Sequence, residues 1–228
     1  MKRYEIAGLL VDLEAGGRTL KQAAPYVVPA CGPADMVVQI DVAATARLNP
    51  DIDDPDMIEY LGTGSRFAAL LPRFQGLMLH SSAVICEGKA YLFTAPSGVG
   101  KSTHTEKWVR LFGAEYLNDD KPALRLVDGQ WMAYGTPWSG KYYLSAPRGV
   151  PLGGIAVVER GEENRICPMS PVDALPFIMS QTAHKLTRKQ MERMLTVMDD
   201  LLQHIPVWKL ICRNEDEAAI LSHGAMVR

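Results

Sequence analysis

The run Ala95-Pro96-Ser97-Gly98-Val99-Gly100-Lys101-Ser102-Thr103 constrains this chain more than any other segment. It stands between an apolar strand-like stretch, Ala90 to Thr94, and a helix-like one, Ser102 to Phe112. A strand, a glycine-bearing turn and a helix in that order make a phosphate-binding loop. Gly98 and Gly100 let the backbone curl until successive N–H groups face one anion. The positive end of the following helix adds to the attraction. Ser97, Gly98, Val99, Gly100, Lys101, Ser102 and Thr103 are therefore the candidate nucleotide-binding residues. Lys101 is placed to reach the terminal phosphates and Ser102 to ligate magnesium through its hydroxyl. Ala95 occupies the place of the motif's first glycine.

Composition narrows the class. The 228 residues suit one moderately large domain, or a nucleotide-binding domain with a smaller unit before it. An apolar share of 47% supports a proper core, and a net charge of −2 gives no nucleic-acid footprint. Cys31, Cys86, Cys167 and Cys212 are scattered, without a Cys-x-x-Cys pair, and read as free thiols in a reducing compartment. Met1-Lys2-Arg3 leads into Tyr4-Glu5 rather than an apolar signal core, and no apolar run is long enough to span a bilayer. The expectation is a cytoplasmic protein that binds neither membrane nor nucleic acid.

Residues 1–75 read as a β-rich N-terminal region. Ile6 to Leu13, Tyr26-Val27-Val28 and Met36 to Ile40 are its strand candidates. Asn49 to Asp56 is a polar break resembling a linker; it lacks the glycine and closing glutamate of a calcium loop. Met57 to Leu71 reads as a weak helix interrupted by Gly62 and Gly64. In residues 76–228 the signals sharpen. Leu77 to His80 and Ser82 to Cys86 are strand-like, Glu87-Gly88-Lys89 turns the chain, and a hairpin feeds the phosphate loop. Asp128-Gly129 marks another hairpin, and Gly154 to Glu159 a central strand. Met191, Met194, Leu195, Met198, Leu201, Leu202 and Ile205 repeat at helical spacing, with a Thr187–Gln190 capping box before them and Pro206 after. Trp208 to Cys212 reads as a short strand, and Asn214 with Glu217 as the cap of a last helix. Strands and helices alternate, yet the hairpins demand a mixed sheet: an α/β fold, flanked by helices.

Asn118-Asp119-Asp120 follows one helix and one strand after Lys101. Two aspartates there stand at the C-terminal end of a strand neighbouring the phosphate loop, the edge where α/β sheets collect ligands. One carboxylate can hold magnesium, and the other can accept a proton from a hydroxyl that attacks the γ-phosphate. Alternation along a strand sends adjacent side chains to opposite faces, so the two converge only where the chain bends. In Gly135-Thr136-Pro137-Trp138-Ser139-Gly140-Lys141, Lys141 is a candidate to neutralise the transferring group, Thr136 and Ser139 to hydrogen-bond it, and Trp138 to stack on a ligand. Arg148 is a weaker phosphate candidate; Arg160 and Arg165 read as turn charges.

Three signatures in order, Leu79-His80-Ser81-Ser82-Ala83-Val84, Pro96 to Ser102 and Leu117-Asn118-Asp119-Asp120, resemble the catalytic domain of HPr serine kinase/phosphorylase. That domain is itself similar to ATP-dependent phosphoenolpyruvate carboxykinase. The likeness spans Gly76 to Ser222 and implies a P-loop kinase fold with ATP- and Mg²⁺-dependent phosphate transfer to a serine hydroxyl. It also implies that His80 orients the aspartate pair, with Asp119 the preferred base and Asp120 the metal partner, roles open to exchange. Thr103 stands where those kinases usually carry an acidic residue, and their glycine-rich protein-gripping segment is not visible. The chain is more similar to small HPr-kinase-like proteins found beside peptide-modification genes. The expected partner is a protein or ribosomally made peptide carrying a serine, and homo-oligomers are an expectation of the same resemblance. The rival readings are a small-molecule kinase or carboxykinase-like enzyme, and a nucleotide-gated binding module without turnover.

Overall fold

Residues 1–182 and 186–227 are described by a computed structural model. The chain begins with β1 (Lys2–Ile6) and β2 (Leu9–Leu13), an antiparallel hairpin. Ile6 to Leu13, expected as one strand, is therefore split. Ala7 and Gly8 both take positive φ, 55° and 68°, as a two-residue hairpin turn requires. Tyr4, Ile6, Leu9, Val11 and Leu13 point inward. Next come α1 (Gly17–Ala23) and β3 (Met36–Val38), the latter parallel to β2. Tyr26-Val27-Val28 contributes a 3₁₀ turn and a lone bridge from Val27 to Tyr4 instead of the expected strand.

The acidic stretch expected as a linker joins α2 (Val42–Arg47) to α3 (Pro55–Leu70). Its Asp54 caps α3 by accepting the Asp56 N–H at 3.0 Å. Gly62 and Gly64 do not interrupt α3; they are close-approach points. A Cβ on Gly62 would lie 2.7 Å from Ile40 Cδ1, and one on Gly64 2.9 Å from Trp138 Cδ1. Tertiary contact outweighs the low helix propensity of glycine here.

The second sheet has nine strands among the described residues. They are β4 (Gly76–Met78), β5 (Ser81–Cys86), β6 (Lys89–Thr94), β7 (Glu115–Asn118), β8 (Ala123–Val127), β9 (Gln130–Tyr134), β10 (Gly149–Arg160), β11 (Arg165–Met169) and β12 (Val207–Cys212). Helix α4 (Lys101–Phe112) follows β6, α5 (Pro171–Ser180) follows β11, and α6 (Arg188–His204) and α7 (Asp216–Met226) flank β12. The sheet is mixed, as the hairpins demand. β10 runs parallel to β6 and β12 but antiparallel to β9. Its Gly149–Pro151 end pairs with β9, and beyond an irregularity at Leu152/Gly154 it pairs with β12. One long strand thus joins two lobes of a curled α/β sheet. Asp128 and Gly129, at φ 50° and 79°, form the β8–β9 turn.

Three apolar clusters hold these layers. One lies between the sheet and α5 with α6, another between the opposite face and α4 with α7. The third belongs to the first 75 residues but also takes in Met78, Ala123 and Trp138, so the two regions share a core. In α6 the Thr187–Gln190 capping box forms, and Met194, Val197, Met198, Leu201 and Leu202 are buried. Each such buried side chain contributes about 1.5–3 kcal/mol. Leu195, expected in that stripe, is 39% exposed, and Val197 takes its place. Asn214 and Glu217 do not cap α7. They accept hydrogen bonds from Lys107 Nζ and Asn164 Nδ2 instead. Among the described residues no helix is long and apolar enough to cross a membrane, and all four cysteines are free.

Candidate functional site

Strand directions gather the chemistry at one edge. β6, β7 and β10 end there and β5 begins there, since Thr94 pairs with Ser81 and Val157, and Asn118 with Ala83. The segment Ala95 to Gly100 leaves β6 at this edge and enters α4. Gly98 and Gly100 have φ of 81° and 122°, and no heavy atom lies within 4 Å of a Cβ built on either. Both glycines are thus needed for conformation, and the loop borders open space. Ala95 is not among the positive-φ residues, so its side chain is tolerated where the motif's glycine is missing. Ser97, Ser102 and Thr103 are exposed around that space.

Lys101 is 8% exposed, and its Nζ donates to the Ala95 carbonyl at 2.9 Å and the Pro96 carbonyl at 3.4 Å. Burial pushes its pKa down, while Asp120 and Asp119 pull it back up. A cavity of about 530 Å³ opens between the loop, the end of β10 and the end of α5. A larger one, about 800 Å³, lies at the opposite edge around Lys89, Gly153 and Trp208, away from these groups. Arg160, read from the sequence as a turn charge, donates from Nε to the Val99 carbonyl at 3.1 Å and from Nη2 to the Gly98 carbonyl at 2.5 Å. The signal for it was available. Arg160 follows the apolar strand expected over Gly154 to Glu159, and the parallel pairing of β10 with β6 brings it beside the loop.

The bend required at the aspartate pair is made by Asn118. Its buried Oδ1 accepts from the Asp120 N–H at 3.0 Å and the Lys121 N–H at 2.7 Å, and its Nδ2 donates to the Thr136 carbonyl at 3.0 Å. Such an Asx turn breaks the alternation of the strand. Asp119 Oδ1 then accepts from Ser82 Oγ at 2.6 Å, and Ser82 is bonded to Thr105 of α4 at 2.7 Å. Burial raises the Asp119 pKa; the Ser82 and Ser102 hydroxyls pull it down, Asp120 pushes it up and Lys101 lowers it. Asp120 lies 3.4 Å from His80 Nε2 and 3.3 Å from Lys121 Nζ. His80 Nδ1 sits 2.9 Å from Gln181 Oε1, and the His80 N–H donates to the Gln181 carbonyl at 2.8 Å. Burial first, then Lys101, lowers the His80 pKa, against the pull of Asp120 and Gln181. Asn118 and Gln181 position the acids and the histidine; the sequence names Asn118 within the Asn-Asp-Asp motif without a role of its own, and nothing in it singles out Gln181.

The segment from Gly135 to Lys141 departs from expectation. Thr136 is buried and donates to the Lys121 carbonyl at 2.7 Å. Trp138 is 1% exposed; its ring centroid lies 4.9 Å from that of Phe67, and Nε1 donates to Thr63 Oγ1 at 3.2 Å. Ser139 donates from N and Oγ to Gln22 Oε1 at 3.2 and 3.1 Å. Trp138 and Ser139 tie the segment to the N-terminal region, while Thr136 bonds to Lys121 and Asn118 beside the acids. Each buried polar group of the three is thus satisfied by protein partners inside the core. Gly140 emerges beside the acids: at φ 74°, a Cβ there would lie 3.2 Å from Asp120 Cβ. Its N–H donates to Tyr60 Oη at 3.0 Å, and its carbonyl accepts from Gln22 Nε2 at 3.0 Å and from Arg18. Lys141 is exposed, with Nζ over the Tyr142 ring at 4.6 Å, and among the described residues no ion pair joins it to the aspartates. Arg148 pairs with Glu115 at 2.5 Å on the surface rather than at the site.

The residues fit a nucleotide with its metal. The two glycines leave a cradle free of side chains, Lys101 is held under it, Ser102 is exposed in the first turn of α4, and Ser82 and Thr105 tie the Asp119 carboxylate to the same helix. No protein-family model matches the chain, and no curated protein sequence matches it significantly. A solved structure of the HPr(Ser) kinase/phosphatase from Coxiella burnetii is similar to this chain with a TM-score of 0.38 and 10% identity. That match covers 64% of this chain and 86% of the other.

Proposed function

We propose that this chain is an ATP- and Mg²⁺-dependent phosphotransferase that phosphorylates a serine hydroxyl on a protein or peptide. The observation that carries the reading is the meeting of two groups at one sheet edge. They are the open glycine loop with Lys101, and the Asp119–Asp120 pair backed by His80.

The loop N–H groups and the α4 N-terminus bind the phosphates, and Lys101 swings from the Ala95 carbonyl to the terminal phosphate oxygens. Magnesium would supply neutralisation of charge on the transferring phosphate. Ser102, in the first turn of α4, and Asp119, tied to the same helix through Ser82 and Thr105, would hold it. This exchanges the two aspartate roles preferred from the sequence. Asp120, beside His80 and Gly140, takes the proton of the acceptor hydroxyl. As the acceptor oxygen bonds to the γ-phosphorus, the bond from that phosphorus to the bridging oxygen breaks, and ADP leaves with the electron pair. His80, held through both its backbone and ring by Gln181, orients Asp120. Positioning and charge neutralisation supply the rate.

The test is transfer of labelled γ-phosphate to serine peptides by the wild type, Asp119→Asn and Asp120→Asn, with magnesium titrated. Asp120→Asn is expected to lose turnover at unchanged magnesium dependence, and Asp119→Asn to need more magnesium. The reverse pattern would restore Asp119 as the base. Absence of transfer to every acceptor, with ATP bound, would sink the kinase reading.

A further inference from the structure

We propose that the acceptor is an acidic peptide segment. Its carboxylates dock on a cationic and aromatic lip formed by Arg18, Lys141, Tyr142 and Tyr143 beside Asp120. This inference rests on the phosphotransferase reading above. Arg18 comes from α1 and reaches the catalytic region by donating Nη2 to the Gly140 carbonyl. Its guanidinium lies 4.5 Å from the Tyr60 ring centroid and 5.7 Å from that of Tyr143. Its buried Nε–H has no hydrogen-bond partner. Lys141 sits over Tyr142. Among the described residues neither Arg18 nor Lys141 has a carboxylate within ion-pair distance, whereas Lys121 is already paired with Asp120.

Among the described residues the nearby acids of α3 form no ion pair with either cation. Glu59 Oε2 accepts from Thr19 Oγ1 at 2.6 Å while its Oε1 lies buried without a hydrogen-bond partner, and Asp56 packs against the Gly17 backbone. Two cations are therefore left for an incoming partner. The aromatic faces are equally available: Tyr142 is 61% exposed and Tyr143 53%. Tyr143 is held at φ 58°, a conformation disfavoured for a bulky side chain. Strain of that kind persists only where the surroundings enforce it, and it gathers at ligand clamps. Gly140 joins lip to acid, since it lies against Asp120 while Arg18, Gln22 and Tyr60 grip its backbone. A carboxylate on the lip would find a desolvated guanidinium and an ammonium. It would set the neighbouring hydroxyl at Asp120 and offset the repulsion from the aspartate pair.

The experiment measures binding of fluorescein-labelled serine peptides flanked by glutamate, alanine or lysine, with and without a non-hydrolysable ATP analogue and magnesium. Nucleotide affinity is titrated separately. The glutamate series is expected to bind at least about tenfold more tightly than the alanine series, with the margin shrinking in high salt. Arg18→Ala is expected to erase most of that preference and Arg18→Lys to restore part of it, with thermal melts confirming both variants folded. Equal binding of the three series, tighter binding of the lysine series, or a preference untouched by Arg18→Ala would overturn the proposal. Failure to bind the nucleotide would instead count against the phosphotransferase reading, because peptide preference is also read in its absence.

Discussion

The proposed nucleotide half of the site and the proposed acceptor half are built by opposite strategies. The first is nearly contiguous: β6, the glycine loop and the first turn of α4, consecutive in sequence, supply cradle, lysine and hydroxyl. The second is assembled across the chain. Gly140 is held by Gln22 and Arg18, partners 118 and 122 residues away, and Trp138 is packed on α3. A local device depends on few contacts. A distributed one inherits the stability of every element that meets in it, and here that means the core shared by the two regions.

The largest expected effect lies where the halves meet. Asp120→Asn should cut kcat by about 10²–10⁴-fold, the range for removing a general base. Nucleotide affinity, measured by calorimetry, should not move. If it falls in parallel, the acid belongs to the nucleotide half. Trp138→Ala removes a buried ring between Gly64 and Phe67 and should cost about 3–5 kcal/mol in urea unfolding. Peptide transfer should fall further than ATP binding in the fraction that stays folded. Equal losses would mean the two halves cannot be separated.

A third prediction concerns the nucleotide half alone. His104 on α4 is buried, bonded to Ser222 Oγ at 2.9 Å and packed on Phe93, and burial lowers its pKa from 6.5 to about 4. The folded state holds it neutral. Its contribution to stability is therefore full above pH 6.5 and is lost as pH falls toward 4, by roughly 3 kcal/mol in total. Paired unfolding curves of wild type and His104→Gln at pH 7 and 4.5 isolate this contribution. An equal acid response in both would contradict it. The smallest effect is expected from Gly140→Ala, where positive φ and the approach to Asp120 should cost about 1–2 kcal/mol. Thermal melts would show that loss, and the acceptor KM should rise with ATP affinity unchanged.

The same contrast explains what could be read from the sequence. The phosphate loop, the hairpins at Glu87-Gly88 and Asp128-Gly129 and the α6 stripe are local patterns, and each was legible. Ala7-Gly8 was passed over because apolar residues flank it without a break, although the pair turns the chain. Helix α5 carries Pro176 in its interior, which masked its period, and Gln181 at its end was lost with it. Nothing in the segment of Trp138 and Ser139 reveals that α1 and α3 claim them, so the sequence alone leaves them free for a ligand. His80, Asp119 and Asp120 stand out as residues in the sequence. Their partners Gln181 and Ser82 follow only from pairing among strands and helices far apart in sequence, whereas Asn118 acts locally, through a turn that its place beside the acids does not by itself announce.

The carboxamide of Asn118 carries a consequence of its own. One of its atoms only accepts and the other only donates, and it spends the first on the turn that aims the acids and the second on the backbone leading to Gly140. Replacement by aspartate would keep the shape but set an anion against the Thr136 carbonyl and beside two existing carboxylates. By this logic the one amide of the Asn-Asp-Asp trio tolerates even an isosteric exchange poorly, and drift at that position would misplace the acids while leaving the glycine loop intact.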